Sequence, residues 1–201
     1  MGFTYYFRVF LVRLKEKFQT NELLPMKVFK SILIFVFILG LLGCEEEPKI
    51  ADTVSTFYFI RHAEKDRSDS ENIDPELTQK GLGRAMHWAE ILDEVPIDAI
   101  YSTDYERTQM TAAPMAVKKN LTVQIYDPRL IDIEQFKAEN LNKKVFIVGH
   151  SNSTPEFVNK MIGQDKYGLI DDHQNGSLFI VEIINGIATD MRLNFNCNCP
   201  D

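Results

Sequence analysis

Hydrophobic and polar positions divide the chain after residue 53 into short segments of strand or helix length. The segments that predict strands are residues 54–60, 98–101, 121–126, 145–148, 177–184 and 187–193. Those at 54–60 and 145–148 are continuously apolar, which is typical of strands buried on both faces of a parallel sheet. The last two flank Asn185 and Gly186, a dipeptide typical of a two-residue hairpin turn.

Apolar side chains at helical spacing separate these strands. Residues 78–93 and 105–119 each predict a helix, with Asp104 as a candidate N-cap of the second. A further helix is predicted to start at Thr154 and Pro155, a cap residue followed by proline at the first helical position. Alternating strands and helices predict an α/β three-layer sandwich, a mostly parallel sheet flanked by helices with a C-terminal antiparallel hairpin.

A different apolar pattern precedes this domain. In residues 26–43, two lysines precede an apolar run of 12 residues. That length suits a signal-peptide core and falls short of the roughly 20 residues of a membrane-spanning helix. The run ends in Leu-Leu-Gly followed by Cys44, which resembles the bacterial lipobox, whose cysteine is lipidated and becomes the mature N-terminus. A plain membrane anchor that ends in an incidental cysteine is the alternative.

These patterns predict a lipoprotein signal peptide at residues 26–43, a lipidated tether at 44–52 and a domain at 53–196. The protein is then expected in the cell envelope, lipid-anchored outside the cytoplasm, in the periplasm or at the cell surface. Residues 1–25 are not needed for this signal, and either follow a mis-assigned start or form a basic amphipathic extension that touches the membrane. The tail, 197–201, holds two cysteines to which we assign no function.

Charge restricts the partners. The chain has a net charge of −7, and residues 1–43 contain six Lys or Arg against two Asp or Glu, so the part from residue 44 onward carries −11. This excludes nucleic acid as an expected partner, because proteins that bind nucleic acids carry a basic footprint. An anion-binding site must therefore be a local cluster of positive groups.

Such a cluster is predicted at the ends of the strands. Arg61 and His62 directly follow the first strand, His150 and Ser151 follow the 145–148 strand, and Arg107 comes shortly after another. In open α/β sheets, ligands bind beyond the carboxyl ends of the strands. Guanidinium groups match phosphate oxygens, and a neutral imidazole can act as a nucleophile. The pattern therefore indicates phosphoryl transfer, which depends mainly on positioning and charge stabilisation.

Four segments in the same order resemble the histidine phosphatase superfamily, in the branch that includes cofactor-dependent phosphoglycerate mutases. They are residues 61–64 (Arg-His-Ala-Glu), 77–85, 101–112 and 148–151. The resemblance implies that His62 becomes phosphohistidine and that Arg61 and Arg107 hold the phosphoryl oxygens. It implies that His150 completes the pocket, and it implies no metal or organic cofactor. Ser151 and Glu64 are further candidate substrate-binding residues.

The general acid is expected in a segment similar to the family's Arg-Leu-x-Glu. Here residues 129–132 read Arg-Leu-Ile-Asp, so Asp132 is the candidate and Glu134 the reserve. A carboxyl group that donates a proton to the leaving group needs a raised pKa. Asp132 is equally suited to be a helix N-cap.

The chain departs from the mutases in the length of one connection. Only 18 residues separate Tyr126 from Val145, where the mutases carry a long insertion. An open pocket admits water, which favours hydrolysis of a phosphoenzyme. We therefore predict a metal-independent phosphatase that acts on a phosphomonoester or phosphoramidate, either a small molecule or a phosphoprotein. Mutase-type phosphoryl transfer and a non-catalytic lipoprotein that binds phosphorylated ligands are the alternatives.

Overall fold

The computed structural model describes residues 52–197 and residue 199. The predicted N-terminal extension, signal peptide and most of the tether lie outside the described residues. The described strands are β1 (Val54–Arg61), β2 (Ala99–Ser102), β3 (Val123–Ile125), β4 (Lys144–Gly149), β5 (Ser177–Ile184) and β6 (Ile187–Asn194). The described helices are α1 (Gln79–Ile91), α2 (Glu106–Lys119), α3 (Ile133–Glu139) and α4 (Ser153–Ile162). None of these helices is long and apolar enough to cross a membrane.

The strands form one mixed sheet in the order β3-β2-β4-β1-β5-β6. Strand β4 pairs in parallel with β1 and β2, and β2 pairs in parallel with β3. Strand β5 runs antiparallel to both β1 and β6. In the turn between β5 and β6, Asn185 and Gly186 have φ of 51° and 83°, the left-handed region that these two residue types tolerate best. The predicted α/β class and its C-terminal hairpin are confirmed.

Apolar side chains on both faces of the sheet explain why β1 and β4 are continuously hydrophobic. On one face, Phe57 and Phe59 of β1 pack against Phe136 of α3 and Phe157 of α4. On the other face, the next residue of β1, Ile60, belongs to the core that helices α1 and α2 complete. Alternate residues of a strand point to opposite faces, so a strand covered by helices on both sides must be apolar throughout.

The register of the central strands determines where the candidate site lies. Arg61 at the end of β1 is paired with Gly149 at the end of β4, and the amide of His62 donates to the Gly149 carbonyl at 2.9 Å. Strand β2 ends beside them, with Ser102 paired with Val148. The residues after these three strands therefore emerge at the same edge of the sheet.

Two predicted helix starts differ from the structure. No side chain of its own segment caps α2. Instead, Asp74 from a distant loop accepts the amide of Glu106 at 3.0 Å, so Asp104 is not the cap. Helix α4 begins one residue before Thr154, whose hydroxyl donates to the carbonyl of Ile60 at 3.3 Å and so ties the helix to β1. In both cases a tertiary contact replaces the local cap that the sequence suggested.

Candidate active site

A cavity of about 900 Å³ opens at the edge of the sheet where β1, β2 and β4 end. The predicted site residues that line it are Arg61, His62, Arg107, His150 and Ser151. It is also lined by Lys65, Ile73, Asp74, Thr103, Asp104, Tyr105, Ile125, Tyr126, Asp127, Pro128, Arg129, Asn152, Ser153, Glu156 and Asp172. The two histidines and two arginines that the sequence placed at strand ends therefore share one cavity.

The imidazole of His62 is oriented by its own backbone. Its Nδ1 lies 2.8 Å from the carbonyl oxygen of Ala63. A carbonyl can only accept a hydrogen bond, so Nδ1 carries the proton and Nε2 keeps its lone pair. The pKa of His62 is lowered to about 3, mainly by burial; the positive charges of Arg61 and Arg107 act in the same direction, and the Ala63 hydrogen bond opposes them. At neutral pH this imidazole is therefore neutral, and the lone pair on Nε2 is available to act as a nucleophile.

A chain of hydroxyl groups orients His150. Its Nε2 lies 2.9 Å from Thr103 Oγ1, which in turn lies 2.9 Å from Thr108 Oγ1. The Thr108 hydroxyl has a single proton, which it donates in a hydrogen bond to the carbonyl of Tyr105 at 2.8 Å. The Thr108 oxygen therefore accepts a hydrogen bond from Thr103. Thr103 in turn accepts one from His150. Neutral His150 therefore carries its proton on Nε2.

Burial is also the main influence on the charge of His150. It lowers the pKa of His150 to about 4, and the positive charge of Arg107 contributes next. The ring centroids of His62 and His150 lie 5.6 Å apart in an edge-to-face arrangement. Both imidazoles are therefore neutral in the ligand-free site at neutral pH.

The two arginines retain unused donors. Arg61 is 1% exposed and donates through Nη1 to the Asp171 carbonyl at 2.8 Å and through Nη2 to Asp172 Oδ1 at 2.5 Å. Arg107 donates through Nη1 to Asp74 Oδ1 at 3.1 Å, and its guanidinium lies 4.3 Å from the centre of the Tyr105 ring. Within the described residues, the Nε of each arginine is buried without a hydrogen-bond partner. A buried unpaired donor costs about 1–3 kcal/mol, which an anionic oxygen in the cavity would offset.

Residues 170–175 connect the loops that carry the two histidines. The amide of Ile170 donates to the Ser151 carbonyl at 2.9 Å, and the side-chain amide of Asn175 donates to the His62 carbonyl at 2.9 Å. Between them, Asp172 reaches Arg61. His173 lies in the same segment but is not among the described residues that line the cavity. The segment carries no motif, because its role arises from contacts more than 100 positions apart in the chain.

The structure places Glu64 outside the described lining of the cavity. Its carboxylate accepts from Arg84 Nε at 2.9 Å and from Arg84 Nη2 at 2.7 Å. Arg84 lies on α1, so this ion pair attaches the loop after β1 to the first helix. The sequence had predicted a substrate contact for Glu64, and the geometry favours a structural one.

The candidate general acids also lie elsewhere. Asp132 is the N-cap of α3, where its Oδ1 accepts from the amide of Gln135 at 3.0 Å, as the alternative interpretation of the sequence expected. Glu134 pairs with Lys137 at 2.8 Å. Neither is among the described residues that line the cavity. Asp127 does line it, but hydrogen bonds from Arg129 lower the pKa of this carboxyl to about 2, which keeps it ionised.

Comparisons with known proteins agree with this geometry. A model of the histidine phosphatase superfamily (branch 1) matches residues 57–160, more than half of the chain. Phosphoserine phosphatase 1 of Hydrogenobacter thermophilus is 35% identical over 79 residues, which cover 37% of this chain and 37% of that protein. The alignment thus spans little more than a third of this curated relative.

Solved structures share the fold at low sequence identity. The protein histidine phosphatase SixA complexed with tungstate has a TM-score of 0.57 and 15% identity, over 69% of this chain and 96% of that one. The alpha-ribazole phosphatase of Shigella flexneri has a TM-score of 0.56 and 18% identity, over 70% and 96%. The phosphoglycerate mutase of Bacillus anthracis has a TM-score of 0.55 and 15% identity, over 71% and 93%.

The family model begins within β1 and ends within α4. It therefore contains both histidines and both arginines of the cavity, namely Arg61, His62, Arg107 and His150. The chain therefore belongs to the histidine phosphatase superfamily.

Proposed function

We propose that the protein is a phosphatase that transfers a phosphoryl group to Nε2 of His62 and then hydrolyses the phosphohistidine. The observation that carries this proposal is the state of His62. Its proton is held on Nδ1 by the Ala63 carbonyl, and its Nε2 is left neutral in a cavity that also contains Arg61 and Arg107. This is the arrangement that a nitrogen nucleophile needs in order to attack a negatively charged phosphorus centre.

In the first step, the Nε2 lone pair forms a bond to phosphorus, and the bond from phosphorus to the leaving oxygen or nitrogen breaks. The leaving group keeps that electron pair and takes a proton from water in the open cavity. The two arginines that line the cavity donate hydrogen bonds to the phosphoryl oxygens, which carry the charge during transfer. In the second step, water attacks phosphorus, the bond to Nε2 breaks, and the products are inorganic phosphate and the original neutral imidazole. Every group in these steps is a protein side chain, so the proposed activity needs no metal.

His150 takes a second role in this proposal. A bound phosphoryl dianion raises the pKa of a nearby imidazole, because opposite charge favours the protonated form. His150 would then gain a proton on Nδ1, since its Nε2 proton is already directed to Thr103. The resulting imidazolium adds positive charge opposite the phosphoryl oxygens.

The shape of the cavity and the names of the relatives support a proposal for the substrate class. Helix α3 is only seven residues long, and its N-terminal residues are not among the described residues that line the cavity. An open mouth admits both water and a large leaving group, which supports hydrolysis over mutase-type return of the phosphoryl group. Two of the solved relatives are named as phosphatases, of a protein histidine and of alpha-ribazole. We propose a phosphomonoester or phosphoramidate substrate, either a small molecule or a phosphoprotein.

We also propose that Cys44 is lipidated and anchors the protein to the envelope, outside the cytoplasm. The basic residues, apolar run and lipobox-like tetrad of residues 26–44 support this. Strand β1 starts at Val54 and ends at Arg61, so the start of the described domain and the cavity lie at opposite ends of the strand. Cys44→Ser should abolish labelling by a radioactive fatty acid and release the protein into the soluble fraction.

The phosphatase proposal is tested with purified protein, an aryl phosphate and excess chelator. We expect turnover by the wild type and none by His62→Ala. Rapid quenching should trap a phosphorylated protein whose label is stable to base and labile to acid, as expected of a phosphorus–nitrogen bond. His87→Ala is the matched control, because His87 lies on α1 outside the described lining of the cavity. Turnover that survives His62→Ala would refute the mechanism.

A further inference from the structure

The carboxylate of Asp172 bridges two arginines at the edge of the cavity. Its Oδ1 accepts from Arg61 Nη2 at 2.5 Å, and its Oδ2 lies 2.7 Å from Arg67 Nη1. The side chain of Arg61 is 1% exposed, whereas that of Arg67 is 47% exposed. Asp172 thus joins a buried arginine of the proposed phosphate site to one at the surface.

Asp172 leaves one side of Arg61 available. A guanidinium group has five N–H donors. The described contacts of Arg61 use Nη1 for the Asp171 carbonyl and Nη2 for Asp172, and leave the buried Nε without a partner. These contacts use only two of the five N–H groups, so a phosphoryl group can bind to Arg61 while Asp172 stays on Nη2. The carboxylate then remains beside the bound dianion.

A second aspartate–arginine pair in the cavity differs from this one. Asp74 contacts Arg107, but the same carboxylate also accepts the amide of Glu106 and so caps α2. In the described part of the chain, both side-chain partners of the Asp172 carboxylate are arginines. Asp74 thus caps a helix as well as pairing with Arg107, whereas the side-chain contacts of Asp172 only place a negative charge beside arginines.

We infer that Asp172 weakens the binding of phosphate to the cavity, by keeping a negative charge against Arg61, and so speeds release of the product. The inference rests on the proposed phosphatase function. A carboxylate next to a dianion repels it, most strongly where water is partly excluded. A hydrogen bond from Arg67, and to a lesser extent one from Arg61, lowers the pKa of Asp172 to about 2. The carboxylate therefore stays charged at neutral and mildly acidic pH.

Inorganic phosphate is the probe, titrated calorimetrically into the mature protein in detergent. Asp172→Asn removes the charge and keeps an oxygen that can accept from Arg61. We expect it to bind phosphate about tenfold more tightly, as repulsion between groups several ångströms apart at intermediate dielectric allows. In turnover assays, the same variant should show a lower inhibition constant for phosphate and slower product release.

Asp171→Asn is the matched control. It removes the same charge one position away, and its carboxylate accepts from the amide of His173 at 2.9 Å. Asp172→Glu is the second variant, because it keeps the charge. Both should bind phosphate within about twofold of the wild type, since charge next to Arg61 is what sets the affinity.

A merely structural role predicts the opposite direction. If Asp172 only braces Arg61, Asp172→Asn binds phosphate equally or more weakly than the wild type, and the inference is overturned. Because calorimetry reports binding without catalysis, absence of turnover in the wild type would refute the phosphatase proposal and leave this comparison valid. Absence of phosphate binding in both the wild type and Asp172→Asn would overturn the inference as well.

Discussion

Thr103 Oγ1 lies 2.9 Å from Nε2 of His150 and accepts a hydrogen bond from that nitrogen. Thr103 itself is buried, and its own hydroxyl proton is directed to Thr108. The pair therefore determines which nitrogen of neutral His150 faces a ligand unprotonated. Thr103, which takes no part in the proposed chemistry, thus sets the tautomer of His150, which does.

Replacing Thr103 tests this relationship. Thr103→Val keeps the volume but leaves the Nε2–H of His150 without an acceptor, which costs about 1–3 kcal/mol in a buried site. We expect kcat for an aryl phosphate to fall about tenfold or more, as the lost orientation of His150 raises the barrier by a similar amount. Thr103→Ser should restore most of the rate. Equal rates for the Val and Ser variants would mean that only packing matters at this position.

The pH dependence of His62 is a second prediction. Because burial lowers its pKa to about 3, His62 stays neutral when the pH falls from 7 to 5, whereas an ordinary histidine titrates near 6.5. The nucleophile is thus lost only as the pH approaches about 3, far below the ordinary range. Proton NMR of the ligand-free protein should show the ring C2–H resonance of His62 unmoved between pH 7 and pH 5. The His62→Ala spectrum assigns the resonance, and a midpoint near 6.5 would contradict the burial argument.

The core of the site could be predicted from the sequence because of simple sheet geometry. Parallel neighbouring strands end at the same edge, and the pairing of Arg61 with Gly149 brings the residues after β1 and β4 together. A polar pair directly after a continuous apolar run is visible without any structure. His62 and His150 were therefore placed in one cavity by pattern alone.

The rest of the site depends on contacts that no local pattern reports. Asp172 lies 111 positions from Arg61, in a loop with no periodicity. Asp132 has a side chain that suits both a proton donor and a helix cap, and only the position of α3 decides between them. That helix has seven residues, too few for helical spacing to stand out from the neighbouring loop.

Glu64 provides a third prediction, because the sequence analysis and the geometry assign it different roles. Its pair with Arg84 is largely buried, with side chains 21% and 9% exposed. Glu64→Gln would leave the guanidinium with a neutral partner, so we expect the free energy of unfolding to fall by about 1–3 kcal/mol. KM for an aryl phosphate should stay within about twofold, since Glu64 is not among the described residues that line the cavity.

The measurements are urea denaturation and steady-state kinetics on the same preparation. Glu90→Gln is the control, because the Glu90 side chain is exposed and its ion-pair partner among residues 52–197 is His87, at 3.7 Å. It should change neither quantity. A raised KM with unchanged stability would support the substrate-binding role that the sequence analysis predicted for Glu64.

Gly81 provides a fourth prediction, in which two effects have opposite signs. Gly81 lies in α1, and alanine is favoured over glycine inside a helix by about 1 kcal/mol. However, a Cβ built on Gly81 would lie 2.2 Å from the carbonyl oxygen of Glu64. That oxygen accepts the amide of Thr78 at 2.9 Å, so the start of α1 is held against the loop that follows His62.

Because the clash involves backbone, it cannot be relieved by a side-chain rotation. Overpacking of this kind costs about 1–3 kcal/mol or more, so Gly81→Ala should lower the free energy of unfolding despite its better helix propensity. The displaced Glu64 backbone lies two residues from His62, so kcat should fall as well. Gly168→Ala is the control, because a Cβ there meets no atom within 4 Å. A gain of about 1 kcal/mol in Gly81→Ala, measured by urea denaturation, would show that propensity dominates and that the contact is loose.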